Sequence, residues 1–562
     1  MAGKVIGRVA ALESNPTTID RFCFWTDKDT ILNPFDVVVV DHVKGSRTFG
    51  VVEEISHITD STSFLGEYFS NDFGSLEAHA NTDRVGMNYV LARVVGNDGN
   101  IYIPVQNGSA VCLGTADDIK KALGLNEIKN PVVCGHLEMY EGVDGAKVDL
   151  PVYVNSDFLI GPEGAHLNIS GISGLASKTS YAMFLLNALQ QKSMAKGAGK
   201  SVAYILMNVK GRDLLSVDLP ADSLPDADKK IYKSMGLETR PFANVKYFYP
   251  YGGRNAVKSY VRQEVLETQL KAGAAKKFKY CYNEDKELLE LLFANVEDPN
   301  QTIESIINYI ISEQAPFKGL DSWRQMLNEV QGMGEAGNRS QASREISVMS
   351  WRKFKRIVRK SVDTEPMFND QVEAANDEVR LEDAIKKIRA NDVYVVDIAK
   401  QDENMQSFVF GSVMQAVTKL KLGEFDEDMT AEERAQIPDR IVIFVDELNK
   451  YASADAPKSS PILRLLLDIA ERGRSLGIVL FSAEQFKSAI HKRVAGNCST
   501  HAYGRTNSVE VADKTYSFVP STYKNMMTRL KQGYYIIQNP VFNSLLKVRF
   551  PMPLYKQDKG DN

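Results

Sequence analysis

The hydrophobic pattern changes character near residue 160. Before that point apolar residues fall in short runs: KVIGRVAAL, FDVVVVDHV, FGVVEEIS, NYVLARVVG, IYIPVQNG and KVDLPVYV. Asn-Pro, Asn-Asp-Gly and Gly-Ser punctuate them. Short runs rich in β-branched and aromatic residues, separated by turn formers, predict strands closing into a small barrel or sandwich over residues 1–155. The segment reads either as an oligomerisation or partner-docking barrel or as a plain stabilising domain.

From Gly161 onward the period lengthens. AHLNISGIS reads as a short strand ending in glycine, and Met183, Leu185, Leu186 and Leu189 then recur at helical spacing. SVAYILMNVKG follows as a buried strand, so residues 166–211 predict β-loop-α-β, the opening of a parallel α/β sheet. LLELLFANV, TIESIINYIISE and WRQMLNEVQ predict helices, with a Gly- and Ser-containing break at 332–343. Residues 215–388 are therefore expected to be a mainly helical insertion. Strands return at DVYVVDIA, RIVIFVDE and GIVLFSAE, so 156–214 and 389–562 form the predicted α/β core.

The candidate chemistry lies at the ends of these strands. Gly171 to Ser180, GISGLASKTS, joins a strand to a helix. Backbone N–H groups of a glycine-bearing turn and the positive end of the following helix cradle phosphates there. The candidate phosphate residues are Gly171, Gly174, Ala176, Ser177, Lys178, Thr179 and Ser180, with Lys178 reaching the terminal phosphates and Thr179 ligating Mg²⁺. The usual G-x-x-x-x-G-K-[ST] spacing is not met. Ile172 holds the first glycine position, Ser177 precedes the lysine, and counting from Gly171 leaves one extra residue. The loop is expected either to bulge around Gly174, Leu175 and Ala176 or to alter its cradle.

IVIFVDELNKYA ends a buried strand in Asp446 and Glu447, one carboxylate for Mg²⁺ and one to polarise an attacking water. GIVLFSAEQF ends another strand before Gln485, a candidate sensor of the terminal phosphate. Arg472 and Arg474, between these motifs, are candidates to stabilise transition-state charge in cis or from a neighbouring subunit.

Composition narrows the class without changing this reading. A 562-residue chain with 44% apolar and 25% charged residues is an ordinary globular balance with room for several domains. The net charge of −5 excludes a wholly basic nucleic-acid coat protein but not a channel lined by a few cations. Five scattered cysteines without a CxxC pair fit a reducing, cytoplasmic compartment. No apolar signal segment is expected at MAGKVIGRVAALES, and no run approaches the roughly 18 residues of a membrane span. The seven histidines show no HExxH or similar cluster, so neither a zinc site nor nuclease activity is expected.

The barrel runs IGRVAAL, FDVVVVDH and GVVEEI, the ordered motifs NISGISGLASKTS, VYVVDIA, IVIFVDELNKY, AERGRSLGIVLFSAEQF and NCSTHAYGRT, and the tail LKQGYYIIQNPVFNSLLKVRFP together resemble the HerA-type ATPases of the HerA/FtsK group. The resemblance implies an α/β fold with a RecA-like P-loop ATPase core, a small N-terminal HAS-barrel-like domain and an added helical insertion. It implies a homo-hexamer that hydrolyses ATP with Mg²⁺ at subunit interfaces and moves double-stranded DNA through its pore. It further implies an effector partner, either a sirtuin-type NAD-hydrolase or a nuclease, as in bacterial defence against phage. By position Lys178 and Thr179 match the family's P-loop pair, Asp446 and Glu447 its acidic pair, Gln485 its strand-end glutamine and Arg474 its Gly-Arg arginine.

WRKFKRIVRKS predicts a basic amphipathic helix, either a contact for DNA or a partner, or a solvated face packed on the core. Lys192, Lys196 and Lys200 form a weaker basic group. Two other readings remain beside the motor: a nucleotide-binding ring scaffold that regulates an effector, and an ATPase for conjugation or secretion.

Overall fold

A computed structural model describes residues 4–558, apart from 62, 71–72, 74–84, 127, 173, 175–177, 196–198, 255, 299, 336–337, 339 and 372–374. The chain forms two compact units, 1–155 with 503–550, and 156–502 with 551–562.

In the first unit β1 (Val5–Val9), β2 (Arg21–Asp27), β3 (Val37–Asp41), β4 (Arg47–Thr59), β5 (Gly86–Asn97) and β6 (Ala110–Leu113) close into a barrel of order β1-β2-β5-β4-β3-β6. Alternation on β2 sends Phe22 and Phe24 inward against Val38, Val40, Val52, Val90, Ala92 and Val111. Val37 to Val40 are all buried, which accounts for the unbroken valine run. The same unit holds β7 (Pro131–Met139) and β8 (Val148–Asn155), which pair antiparallel. Tyr140 donates its N–H to Asp36 and its hydroxyl to the Val37 carbonyl, at 3.0 and 2.7 Å, pinning the end of β7 to the start of β3.

The second unit contains β9 (Leu167–Ser170), β10 (Val202–Asn208), β11 (Val245–Pro250), β12 (Ala275–Lys279), β13 (Glu378–Arg380), β14 (Val393–Asp397), β15 (Arg440–Asp446), β16 (Ile478–Glu484) and β17 (Thr500–Tyr503). Their order is β13-β12-β11-β14-β10-β15-β16-β9-β17. Every pair from β13 across to β9 is parallel. The stretch β17-β9-β16-β15-β10 is RecA-like: β16 separates the strand before the phosphate loop from the strand bearing the acidic pair. Parallel strands covered on both faces read as continuous apolar runs, and β10 and β16 are buried at every position. Helix α1 (Lys178–Met194) follows β9 and is buried almost all round, so its apolar pattern is broader than one amphipathic stripe.

The segment expected to be helical is more mixed. It contributes β11, β12 and β13 to the sheet edge, and its helices Thr302–Ile311, Trp323–Gly332 and α2 (Val348–Val358) pack Ile306, Trp323, Trp351 and Phe354 into one core with Phe278 of β12 and Phe408. Two of the three missed strands are polar in sequence. Lys277 and Lys279 of β12 are buried because Asp377 and Glu378 pair with them at 2.9 and 2.7 Å. Of the break at 332–343, residues 336–337 and 339 lie outside the described residues, as does Lys196.

Helix α3 (Glu403–Leu422) covers the sheet, and α4 (Pro461–Leu476) leads into β16. Gly477 ends α4 at φ +82°, and a Cβ there would lie 2.2 Å from the Asp439 carbonyl oxygen, so only glycine fits this turn.

The predicted core also extended through 562, whereas residues 503–550 cluster with the first unit. Their β18 (Tyr534–Gln538) and β19 (Leu546–Arg549) form an antiparallel hairpin within LKQGYYIIQNPVFNSLLKVRFP. β19 pairs with β7, giving the order β18-β19-β7-β8.

Candidate functional site

Parallel strands deliver their C-terminal ends to one edge of the sheet, the usual place for ligands in open α/β folds. In the second unit β9 ends at Ser170, β15 at Asp446 and β16 at Glu484. The register sets Asp446 beside Ala483 and Ser170 beside Glu484, so all three ends meet at one level. The N–H of Gly171 bonds the Glu484 carbonyl at 3.1 Å, fixing where the loop leaves the sheet.

α1 begins at Lys178, so the lysine sits at the positive end of a 17-residue helix. Its side chain is 6% exposed and donates to the Gly171 carbonyl at 3.1 Å. Burial pushes its pKa down, and Asp446 opposes that shift. Gly174 adopts φ +83°, a conformation glycine takes at little cost. Ala176 and Ser177 lie outside the described residues, as do Ser173 and Leu175, and with them the expected bulge. Ser180 is buried, and its Oγ accepts from Gln557 Nε2 at 2.8 Å, so it faces the C-terminal segment.

Thr179 Oγ1 donates to Asp446 Oδ2 at 3.3 Å. Burial pushes the Asp446 carboxyl up, and Lys178 pulls it back. Glu447 occupies the left-handed region at φ +58°, a strained place for a non-glycine residue. Its Oε1 and Oε2 pair with Lys210 at 2.9 Å and Lys450 at 2.7 Å. Burial opposes ionisation, but the two lysines prevail and hold its pKa at about 2.

Glu484, absent from the expected site residues, is fully buried at the end of β16. Asn168 Nδ2 donates to its Oε1. Burial raises its pKa to about 8, against the pull of Asn168 and Lys178. Its Oε2, Asn168 Oδ1 and Ser170 Oγ are buried without a hydrogen-bond partner, so unsatisfied polar atoms gather on the neighbouring strands β9 and β16. Gln485 follows it, partly buried, at the same edge.

The two arginines are placed elsewhere. Arg472 pairs with Asp468 at 3.1 Å on α4, and Arg474 donates to the Glu163 carbonyl at 3.1 Å. Both precede β16, whose seven residues span about 20 Å to Glu484. They therefore lie toward the opposite edge of the sheet, and a role in cis on phosphate is excluded. In the basic helix, Trp351, Phe354 and Val358 are fully buried, while Lys353 and Lys355 donate to the Glu297 and Gln331 carbonyls at 2.8 and 2.7 Å. The helix is thus packed on the core, with Arg352, Arg356, Arg359 and Lys360 exposed.

Sequence reasoning named Lys178, Thr179, Asp446, Glu447 and Gln485, which the fold brings to one edge. It missed Glu484, Lys210 and Lys450. Lys450 carried a signal at i+3 from Glu447; Lys210 is 237 residues distant and carried none.

The residues present fit a magnesium nucleotide. A threonine hydroxyl and a carboxylate, both hard oxygen donors, already face each other, and a buried lysine at a helix N-terminus stands beside them.

No family model and no curated protein matches the chain. Among solved structures it is similar to the bacterial conjugative coupling protein TrwBdeltaN70 in its trigonal form with sulphate, at 12% identity, covering 73% of this chain and 89% of that one, with a TM-score of 0.43. The plasmid coupling protein TrwB with ADP and Mg²⁺ is 10% identical over 73% of this chain and 89% of its own, at a TM-score of 0.42. The genome packaging NTPase B204 of Sulfolobus turreted icosahedral virus 2, with ATP-gammaS, is 14% identical over 30% of this chain and 72% of its own, at 0.22. At these scores the likeness adds nothing to what strand order and side chains establish.

Proposed function

We propose that the chain is an ATP hydrolase. The observation that carries this reading is the juxtaposition of Lys178 and Thr179, at the start of α1, with Asp446 at the end of β15, the Thr179 hydroxyl 3.3 Å from its carboxylate. Lys178 binds the terminal phosphates. Thr179 and Asp446 hold Mg²⁺, which when bound neutralises phosphate charge. Glu447 orients and polarises the attacking water, and Gln485 senses the terminal phosphate from the next strand end.

The RecA-like strand order and the motif resemblance support a finer reading. In it the chain is a homo-hexameric motor that moves double-stranded DNA, in the cytoplasm, beside a sirtuin-type or nuclease-type effector in antiphage defence. Arg474 and Arg472 act only from a neighbouring subunit in such a ring, since neither reaches its own phosphate loop. No described helix is long and apolar enough to cross a membrane.

A second reading has its own observation. The clamp of Lys210 and Lys450 on Glu447 makes this carboxylate a weak base, which favours a ring scaffold that binds nucleotide and regulates an effector with little turnover.

ATP turnover by the purified chain, with and without duplex DNA, separates the two. Turnover stimulated by DNA and abolished by Lys178→Ala supports the motor. Nucleotide binding without turnover, and assembly with an effector indifferent to Glu447→Gln, supports the scaffold.

A further inference from the structure

The first unit holds a second group of metal-type donors, well removed in sequence from the phosphate loop. His136 and Glu138 lie two apart on β7 and so share a face, and the antiparallel register sets Asp149 of β8 directly opposite Glu138. One ring nitrogen of His136 and one oxygen of each carboxylate all lie within 4.8 Å of one another. A pairing of two carboxylates across neighbouring strands is repulsive unless a cation lies between them.

Two cations balance the pair at present, each from the rim. Arg549 reaches Glu138 at 3.3 Å, and Lys147 reaches Asp149 at 3.5 Å. The side chains of Lys147 and Asp149 are about half exposed, at 53% and 46%, so this pair contributes little. Neither cation serves His136. Its side chain is 6% exposed, and its Nδ1 is buried with no hydrogen-bond partner. The buried imidazole thus has a ring nitrogen without a partner and brings a ring nitrogen within 4.8 Å of two carboxylate oxygens, a setting in which a metal would complete its contacts.

We infer that His136, Glu138 and Asp149 form a binding site for one divalent transition cation of the Zn²⁺ type, pinning the β7–β8 hairpin. One imidazole and two carboxylates are a ligand set that Zn²⁺ accepts, with a water in the fourth position. A single divalent ion supplies the charge that Arg549 and Lys147 now supply together, and it also satisfies the imidazole. Ligand atoms on a tetrahedral ion lie about 3.3 Å apart, so closing from the present separations takes side-chain rotation rather than strand movement. Tyr534 on β18 donates to Glu138 Oε2 at 2.7 Å and orients that carboxylate from behind, as outer hydrogen bonds do for metal-bound carboxylates.

The test uses the full chain, stripped with chelator, with a non-hydrolysable magnesium nucleotide saturating the phosphate loop. Zn²⁺ retained after dialysis is measured by atomic absorption, thermal unfolding is followed against Zn²⁺ concentration, and Co²⁺ serves as a spectroscopic probe. We expect one equivalent of Zn²⁺ per chain, a melting temperature that rises with Zn²⁺, and Co²⁺ bands without a thiolate charge-transfer feature. His136→Ala and Asp149→Asn abolish the retained equivalent, and Tyr534→Phe weakens binding about tenfold. Asp149 is exposed, so its variant decides the matter even where His136→Ala folds poorly. A wild-type chain that retains no zinc, one whose Co²⁺ spectrum is dominated by thiolate, or variants that retain as much zinc as wild type would each overturn the site.

Discussion

Two adjacent strand ends in the second unit treat a glutamate in opposite ways. At the end of β15, Glu447 is partly open to solvent, gripped by Lys210 and Lys450, and held at a pKa of about 2. At the end of β16, Glu484 is enclosed by β9, touched by the neutral amide of Asn168, and pushed to about 8. The residue type is the same and the strands are hydrogen-bonded neighbours. The difference comes from what each carboxyl meets: two ammonium groups stabilise the charged form in one case, and burial without a full counter-charge disfavours it in the other. One sheet edge thus carries a carboxylate held ionised down to low pH and a carboxyl poised to hold a proton.

The largest test of this contrast is Glu447→Gln beside Glu484→Gln. If Glu447 is the water-polarising group, its amide variant loses about 10²- to 10⁴-fold in ATP turnover, whereas Glu484→Gln keeps most of it because an amide also bonds Asn168. Equal losses in single-turnover measurements would erase the distinction.

Next in size is the pH dependence of stability. Glu484 ionises near 4.5 when unfolded and near 8 when folded, so between these values the native state holds the extra proton. Stability is then fully present below about pH 4.5 and falls as pH rises toward 8, with a slope of up to about 1.4 kcal/mol per pH unit from this group. Glu484→Gln removes that slope, seen as chemical-denaturation midpoints that no longer decline across the interval.

A smaller effect is expected of Lys210→Ala. Losing one ammonium raises the Glu447 pKa, so the acid limb of the turnover profile moves to higher pH, with rates near neutrality changed by no more than about tenfold. The stability that Glu447 contributes is present above about pH 4.5 and is lost as pH falls toward 2; in the variant that loss starts at the same pH, is smaller, and is complete at a higher pH. Lys450→Ala removes the nearer and less exposed partner, at 2.7 Å and 39% exposure against 2.9 Å and 53% for Lys210, and is expected to shift the same limb by a similar amount. An acid limb unmoved by either variant would show that the clamp does not set Glu447.

Much of this site was readable from residues 166–211 and 440–485. The apolar run before Asp446 has strand length, and the glycine turn before Lys178 precedes a helical period. The missed features share one physical cause, polar residues whose burial depends on distant partners. Lys277 and Lys279 leave β12 without an apolar strand pattern, and it lies in the stretch expected to be helical; Asp377 and Glu378 neutralise the two lysines in the fold. In GIVLFSAEQF the polar tip is read at Gln485, and Glu484 before it draws no reading, yet the neighbouring β9 encloses it. Arg472 and Arg474, between two site motifs, read as stabilisers of transition-state charge in cis or from a neighbouring subunit, and the length of β16 carries them toward the opposite edge of the sheet.

The sequence by itself determined the strand-rich first 155 residues, the β-loop-α-β start of the second unit, and the residue types at three strand ends, because hydrophobic period and glycine placement are local properties. The tertiary structure alone decided that 503–550 belong with the first unit, that β16 stands between β9 and β15, and that His136 meets Asp149. It also decided which glutamate keeps its charge. Strand order and ionisation both depend on neighbours far along the chain, and no local pattern encodes a neighbour 237 residues away.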